Sequence, residues 1–206
     1  MFCGFAFKVS LLPFHSWTPD VYQGAPTPIT GFMAVATKAA VFAVIVRIFF
    51  TSFPDLETIW MPILFGASVL TMLVGNTAAI FQDDLKRMLA YSGVAHAGYL
   101  LIGIVTNTQE GMASILFYLA VYLFMNIGAF AVVFMMEGEG LEGNSINRFK
   151  GLAKRSPFIA AAMSLFMVSL AGFPPTAGFF GKLFLFYAAI KKGYILITVL
   201  AVVASI

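Results

Sequence analysis

An all-α architecture, a polytopic transmembrane helix bundle with broken helices, is what this sequence predicts. Composition is the first reason. The chain of 206 residues is 61% hydrophobic and only 10% charged, with a mean hydropathy of +0.95. That leaves too little polar surface for a water-soluble domain of this size. Pattern is the second reason: long apolar runs are separated by short polar punctuation. No run alternates with period two as barrel strands do, so helices must satisfy the backbone in lipid.

Seven helical segments follow, near 1–14, 29–50, 59–81, 86–106, 112–136, 157–190 and 194–206. In the first, Pro13 interrupts "GFAFKVSLLPF", giving either a broken helix or a helix end followed by a compact loop through "PFHSWTPDVYQGAPTP". The next four each reach the ~20 residues that a span requires. The sixth is too long for one simple span and carries "GFPPTAG" in its middle. Proline removes a backbone donor and clashes with the preceding turn, which predicts two half-helices. The seventh, Tyr194 to Ile206, offers only 13 residues. Since the chain also starts inside an apolar run, residues 1–206 read as a single transmembrane domain that is part of a longer protein.

Loop charges orient the bundle. "FQDDLKRM" carries Lys86 and Arg87, and "EGEGLEGNSINRFKGLAKRS" carries Arg148, Lys150, Lys154 and Arg155, whereas "TSFPDLET" and "NTQEG" carry no Lys or Arg. The excess of basic residues places 82–87 and 137–156 in the cytoplasm; Lys191 and Lys192 go against it. A net charge of +3, split between loops, excludes nucleic acid as a partner. The single cysteine, Cys3, excludes an internal disulfide, and no Cys/His cluster offers a metal site. "MFCGFAFKVS" lacks the basic start and cleavage signal of a signal peptide.

Lys8, Lys38 and Lys182 interrupt the apolar runs. An amine at the hydrocarbon centre costs roughly 2.5–3.5 kcal/mol on insertion scales. Lys38 lies nine residues past Ile29, about 13 Å along its helix and so near the middle of a ~30 Å core. Lys182, nine residues before Lys191, has a comparable depth. The plain reading is that these lysines snorkel or fill packing salt bridges. The sharper one is a proton relay, since an amine balanced between desolvation and a nearby carboxylate can gain and lose a proton at neutral pH. All nine acidic residues lie in loops or at helix ends, so the expected acid partner is not found at membrane depth in this sequence.

Relays also need a polar path. Ser92, His96 and Tyr99 share one helix face by four-and-three spacing, and Tyr118, Tyr122 and Asn126 form a stripe at i+4 steps. Each could equally be a helix–helix hydrogen bond, although His96 can carry a proton through either ring nitrogen. His15, beside Trp17 and Asp20, reads as an interface residue.

"FKVSLLPFHSWTPDVYQGAPTPITGFMAVATKAA", "DLKRMLAYSGVAHAGYLLIG" and "LAGFPPTAGFFGKLFLF" resemble the antiporter-like membrane subunits of respiratory complex I, on the branch of subunit N of bacterial NADH:quinone oxidoreductase. The resemblance covers essentially the whole chain. It implies an antiporter-like fold built from inverted repeats, each with a broken helix, of which this chain would be the second half. It also implies that Lys8 is the broken-helix lysine that pairs with an upstream glutamate. By the same carry-over Lys38 is the central lysine of the next helix, Lys182 the lysine of the second broken helix, and His96 a helix-core histidine. The implied function is proton translocation by a subunit without redox centres. Charge arriving near Lys8 would send a proton toward Lys38, then Lys182 and the far side. NADH, flavin, iron–sulfur clusters and quinone are then expected on partner subunits, with no cofactor on this chain. Its partners would be other complex I membrane subunits, lipid and protons, in a bacterial inner membrane, or an organelle inner or thylakoid membrane. Two alternatives stand beside this: a subunit of a multi-subunit cation/proton antiporter, and a structural membrane scaffold whose lysines are packing charges.

Overall fold

The computed structural model describes residues 2–52, 56–137 and 145–205. The first part of the predicted cytoplasmic link, 138–144, and the tip of the 51–58 loop lie outside the described residues. Among those described, the chain is all helical apart from an isolated bridge between Asp84 and Ser145.

Of the two readings left open for the first segment, the broken helix forms. Helix α1 (Phe2–Val9) stops at a seven-residue break before α2 (Trp17–Gly24). Polar groups released there are satisfied internally, as lipid demands. Thr18 Oγ1 donates to Ser10 Oγ at 2.6 Å, and the Leu12 amide donates to Thr71 Oγ1 at 3.1 Å. The second segment is one apolar stretch, Thr27–Ser52, made of α3 (Thr27–Phe32), a π-helical turn (Met33–Thr37), α4 (Lys38–Arg47) and a second π-helical turn (Ile48–Ser52). Each π-helical turn shifts the residues after it around the helix axis.

Helices α5 (Glu57–Ile80), α6 (Leu85–Val105) and α7 (Gln109–Glu137) are each long and apolar enough to cross a membrane. With Thr27–Ser52 they make four such spans among the described residues. Helix α6 is the axis of the bundle: 17 of its 21 residues are buried. Small residues let its neighbour come close. A Cβ at Gly75 of α5 would stand 2.6 Å from the Ala95 amide nitrogen, and one at Gly98 would stand 2.9 Å from the Met72 nitrogen.

After a 3-10 turn (Ile146–Phe149) and the short α8 (Leu152–Arg155), the predicted pair of half-helices appears as α9 (Pro157–Ala171) and α10 (Ala177–Lys191), followed by α11 (Ile195–Ser205). Gly172 ends α9 at φ 85°, donating to the carbonyls of Val168 and Ser169. That left-handed position is one only glycine adopts readily.

One end of the bundle is laced by polar contacts. Asp84 caps α6 by accepting from the Arg87 amide at 2.9 Å, the Arg87 guanidinium pairs with Asp20 at 2.6 Å, and the Ile146 amide reaches Asp83 at 2.9 Å. This end gathers Lys86, Arg87, Arg148, Lys150, Lys154 and Arg155, the residues by which the basic-residue rule expects a cytoplasmic face. Lys191 pairs with Glu110 at the opposite end.

Candidate functional site

The first π-helical turn delivers Lys38 to the interior, where its side chain is 2% exposed. Such turns are frequent at functional positions. Lys38 Nζ donates to the Gly93 carbonyl of α6 at 2.6 Å. Glycine lets the amine sit this close: a Cβ at position 93 would stand 2.8 Å from Lys38 Nζ and 3.0 Å from Tyr122 Oη. Tyr122 Oη and Asn126 Oδ1, one turn further along α7, are both buried and make no hydrogen bond of normal geometry among the described residues. A buried polar atom left without a partner costs about 1–3 kcal/mol.

His96 follows Gly93 by three residues and is buried. Its Nδ1 lies 2.6 Å from Tyr118 Oη, with the Tyr122 ring at 5.0 Å and the Tyr99 ring at 6.0 Å. Lys182 stands 4.7 Å over the Tyr99 ring, a cation–π arrangement. Its Nζ donates to the Ala171 carbonyl at 2.7 Å. That carbonyl ends α9, where the helix dipole presents partial negative charge, so the break of the helix builds a seat for the amine. Asn76 holds Tyr99 from the other side, donating to Oη at 3.0 Å.

Lys38 and Lys182 therefore meet α6 at Gly93 and Tyr99, six residues apart, or about 9 Å of helix, with His96 between them. Among the described residues no carboxylate is within ion-pair distance of either amine. A cavity of about 280 Å³ opens beside this cluster, and Asn76, Ser92, His96, Tyr99 and Lys182 are among its lining.

The expected polar residues thus divide. Lys38, His96, Lys182, Tyr99, Tyr118 and Tyr122 come together around α6, with Ser92 on the cavity wall and Asn126 at the margin. Lys8 does not join them: it is exposed on the last turn of α1 and pairs with nothing among the described residues. A different lysine is buried instead. Lys86, read from the sequence as a loop charge, is only 4% exposed. It pairs with Glu137 at 3.0 Å and donates to the Ala25 carbonyl at 3.1 Å, while Thr27 donates to the same carboxylate at 2.6 Å. A lysine in the first turn of a helix opposes the helix dipole, and that misplacement was the available sign of a partner.

Among the described residues no three His, Cys, Asp or Glu side chains converge as metal ligands would. The family described as NADH:quinone oxidoreductase/Mrp antiporter, TM, matches residues 1–206. The chain belongs to this family. Subunit N of NADH-quinone oxidoreductase from Trichlorobacter lovleyi is 49% identical over 205 residues, covering 100% of this chain and 42% of the relative. The subunit N of Desulfovibrio desulfuricans is 51% identical, covering 98% and 42%. Among solved structures, a chain of respiratory complex I from Thermus thermophilus is similar at TM-score 0.83 and 39% identity, covering 98% of this chain and 44% of that one. A chain of the Mrp complex from Dietzia sp. is similar at TM-score 0.81 and 27% identity, covering 98% and 38%. The chain thus spans about 42% of the length of the curated relatives it matches. Four long apolar helices and bacterial relatives make this family member an integral, multi-pass protein of the bacterial inner membrane.

Proposed function

We propose that this chain carries the lysine relay of a proton-translocating membrane subunit of NADH:quinone oxidoreductase. The observation behind the reading is the pair of buried amines, Lys38 and Lys182, held on carbonyls on either side of His96. A carbonyl accepts a strong hydrogen bond from an ammonium and a weaker one from a neutral amine. Both protonation states can therefore occupy the same seat. His96 and its tyrosines supply groups that donate and accept in turn. Redox chemistry in this reading belongs to partner subunits, where NADH, flavin, iron–sulfur clusters and quinone would sit. The other membrane subunits of the complex are this chain's neighbours.

The test is Lys38→Ala and Lys182→Ala in the full-length protein within its complex. Loss of proton pumping with assembly intact is expected. Pumping at the unaltered rate would leave the lysines as packing charges and the chain as a scaffold. A second reading, a cation/proton antiporter subunit, draws on the likeness to the Mrp complex chain. Sodium-driven proton movement in vesicles lacking NADH would favour it.

A further inference from the structure

Lys86 is a buried charge that the relay does not use, and four helix ends converge on it. It stands in the first turn of α6. Its Nζ donates to the Ala25 carbonyl that closes α2, at 3.1 Å, and pairs with Glu137 at the end of α7, at 3.0 Å. Thr27, which starts α3, donates to the same Glu137 oxygen at 2.6 Å. A buried ion pair adds little net stability, because desolvating both charges offsets most of their attraction; its best-attested use is to fix register. Helix α3 needs such a pin. Its buried face is Thr27, Thr30 and Gly31, all small, while Ile29 and Phe32 are 52% and 63% exposed. The side chains that could key this helix into the bundle point outward.

The pin and the Lys38 seat share the same helices. Gly93 lies seven residues beyond Lys86, about two turns and ~10 Å along one face of α6. Between Thr27 and Lys38 runs the π-helical turn Met33–Thr37, which holds more residues per turn than an α-helix. Relaxed to α-helix, it would rotate Lys38 by about one residue, roughly 100°, away from the Gly93 carbonyl. We infer that Lys86 and Glu137 are positioning residues: their pair holds the start of the Thr27–Ser52 helix, and that hold keeps Lys38 on the Gly93 carbonyl. The inference rests on the relay reading above and names the residues that set its geometry.

The test uses the full-length protein in its assembled complex, with Cys3→Ser as background and a register reporter, Gly31→Cys with Phe130→Cys. A Cβ at position 31 would stand 3.3 Å from Phe130 Cβ, close to the ~3.5–4.5 Å that a disulfide spans. Lys86→Ala with Glu137→Gln removes the pair without stranding a charge. In that variant the reporter disulfide should form at least fivefold more slowly, and pumping should fall at least fivefold. Lys86→Arg should preserve both. Driving the disulfide to completion should then restore pumping, since it replaces the lost pin. An unchanged rate of disulfide formation overturns the inference, and so does pumping that stays low once the disulfide is complete. Should the double variant fail to assemble, Thr27→Val, which removes only the hydroxyl on Glu137, carries the same test. Normal pumping by Lys38→Ala, with the disulfide still slowed in the absence of the pair, would remove the relay reading and leave the register role standing.

Discussion

Gly93→Ala isolates the seat of Lys38 from the rest of the fold. The added Cβ would stand 2.8 Å from Lys38 Nζ, while non-bonded carbon contacts settle near ~3.5 Å. The amine must then retreat by roughly 0.7 Å, stretching a bond that now measures 2.6 Å past the ~3.2 Å limit of good geometry. A hydrogen bond to a charged group is worth about 1.5–3 kcal/mol, which is roughly a tenfold to hundredfold change at ~1.4 kcal/mol per decade. The backbone effect has the opposite sign, because alanine favours a helix over glycine by about 0.8–1 kcal/mol. The crowded atoms, Lys38 Nζ and Tyr122 Oη, are far ends of side chains, so the bundle has room to relax. Assembly of the complex should therefore be unchanged while proton pumping, followed by dye quenching in inside-out vesicles, falls at least tenfold. Gly66→Ala, where an added Cβ meets nothing within 4 Å, serves as the matched control. Wild-type pumping by assembled Gly93→Ala would show that Lys38 does not work from the Gly93 carbonyl.

Other variants separate structural from functional charge. Gly172→Ala forces a side chain into a left-handed position, costing about 1–2 kcal/mol, and brings a Cβ to 2.9 Å from Lys182 Cδ; pumping should drop, with a lower thermal midpoint of the solubilised complex. Lys86→Ala strands the Glu137 carboxylate. A fully buried pair would cost ~3–5 kcal/mol, but Glu137 is 31% exposed, so solvent reduces the expected loss to about 1–3 kcal/mol. Thermal denaturation should show that loss, and Lys86→Ala combined with Glu137→Gln should recover part of it. Glu110→Gln removes the exposed pair with Lys191 and should leave both the thermal midpoint and pumping unchanged, since surface pairs are screened.

Composition and spacing were enough for much of this protein. Apolar runs near the length of a bilayer leave the backbone no alternative to helices, so class and approximate spans were legible at once. So was the second break, from the pair Pro174–Pro175 inside a run too long for one span, whereas at Pro13 the sequence left a broken helix and a helix end equally open. An amine in the middle of "FMAVATKAAVFAV" could be flagged from the cost of placing it there. What periodicity gives, however, is a face of each helix and not the face it meets. Lys38 lies in an apolar run like others in the chain, yet it is buried against α6, a neighbour distant in the sequence. Lys86 looked like an ordinary loop charge until α2, α3 and α7 closed over it. The acceptors of the relay lysines were invisible for a deeper reason: they are backbone carbonyls, which every residue has. Packing alone selects those of Gly93 and Ala171, by bringing α4 against a glycine of α6 and ending α9 beneath Lys182.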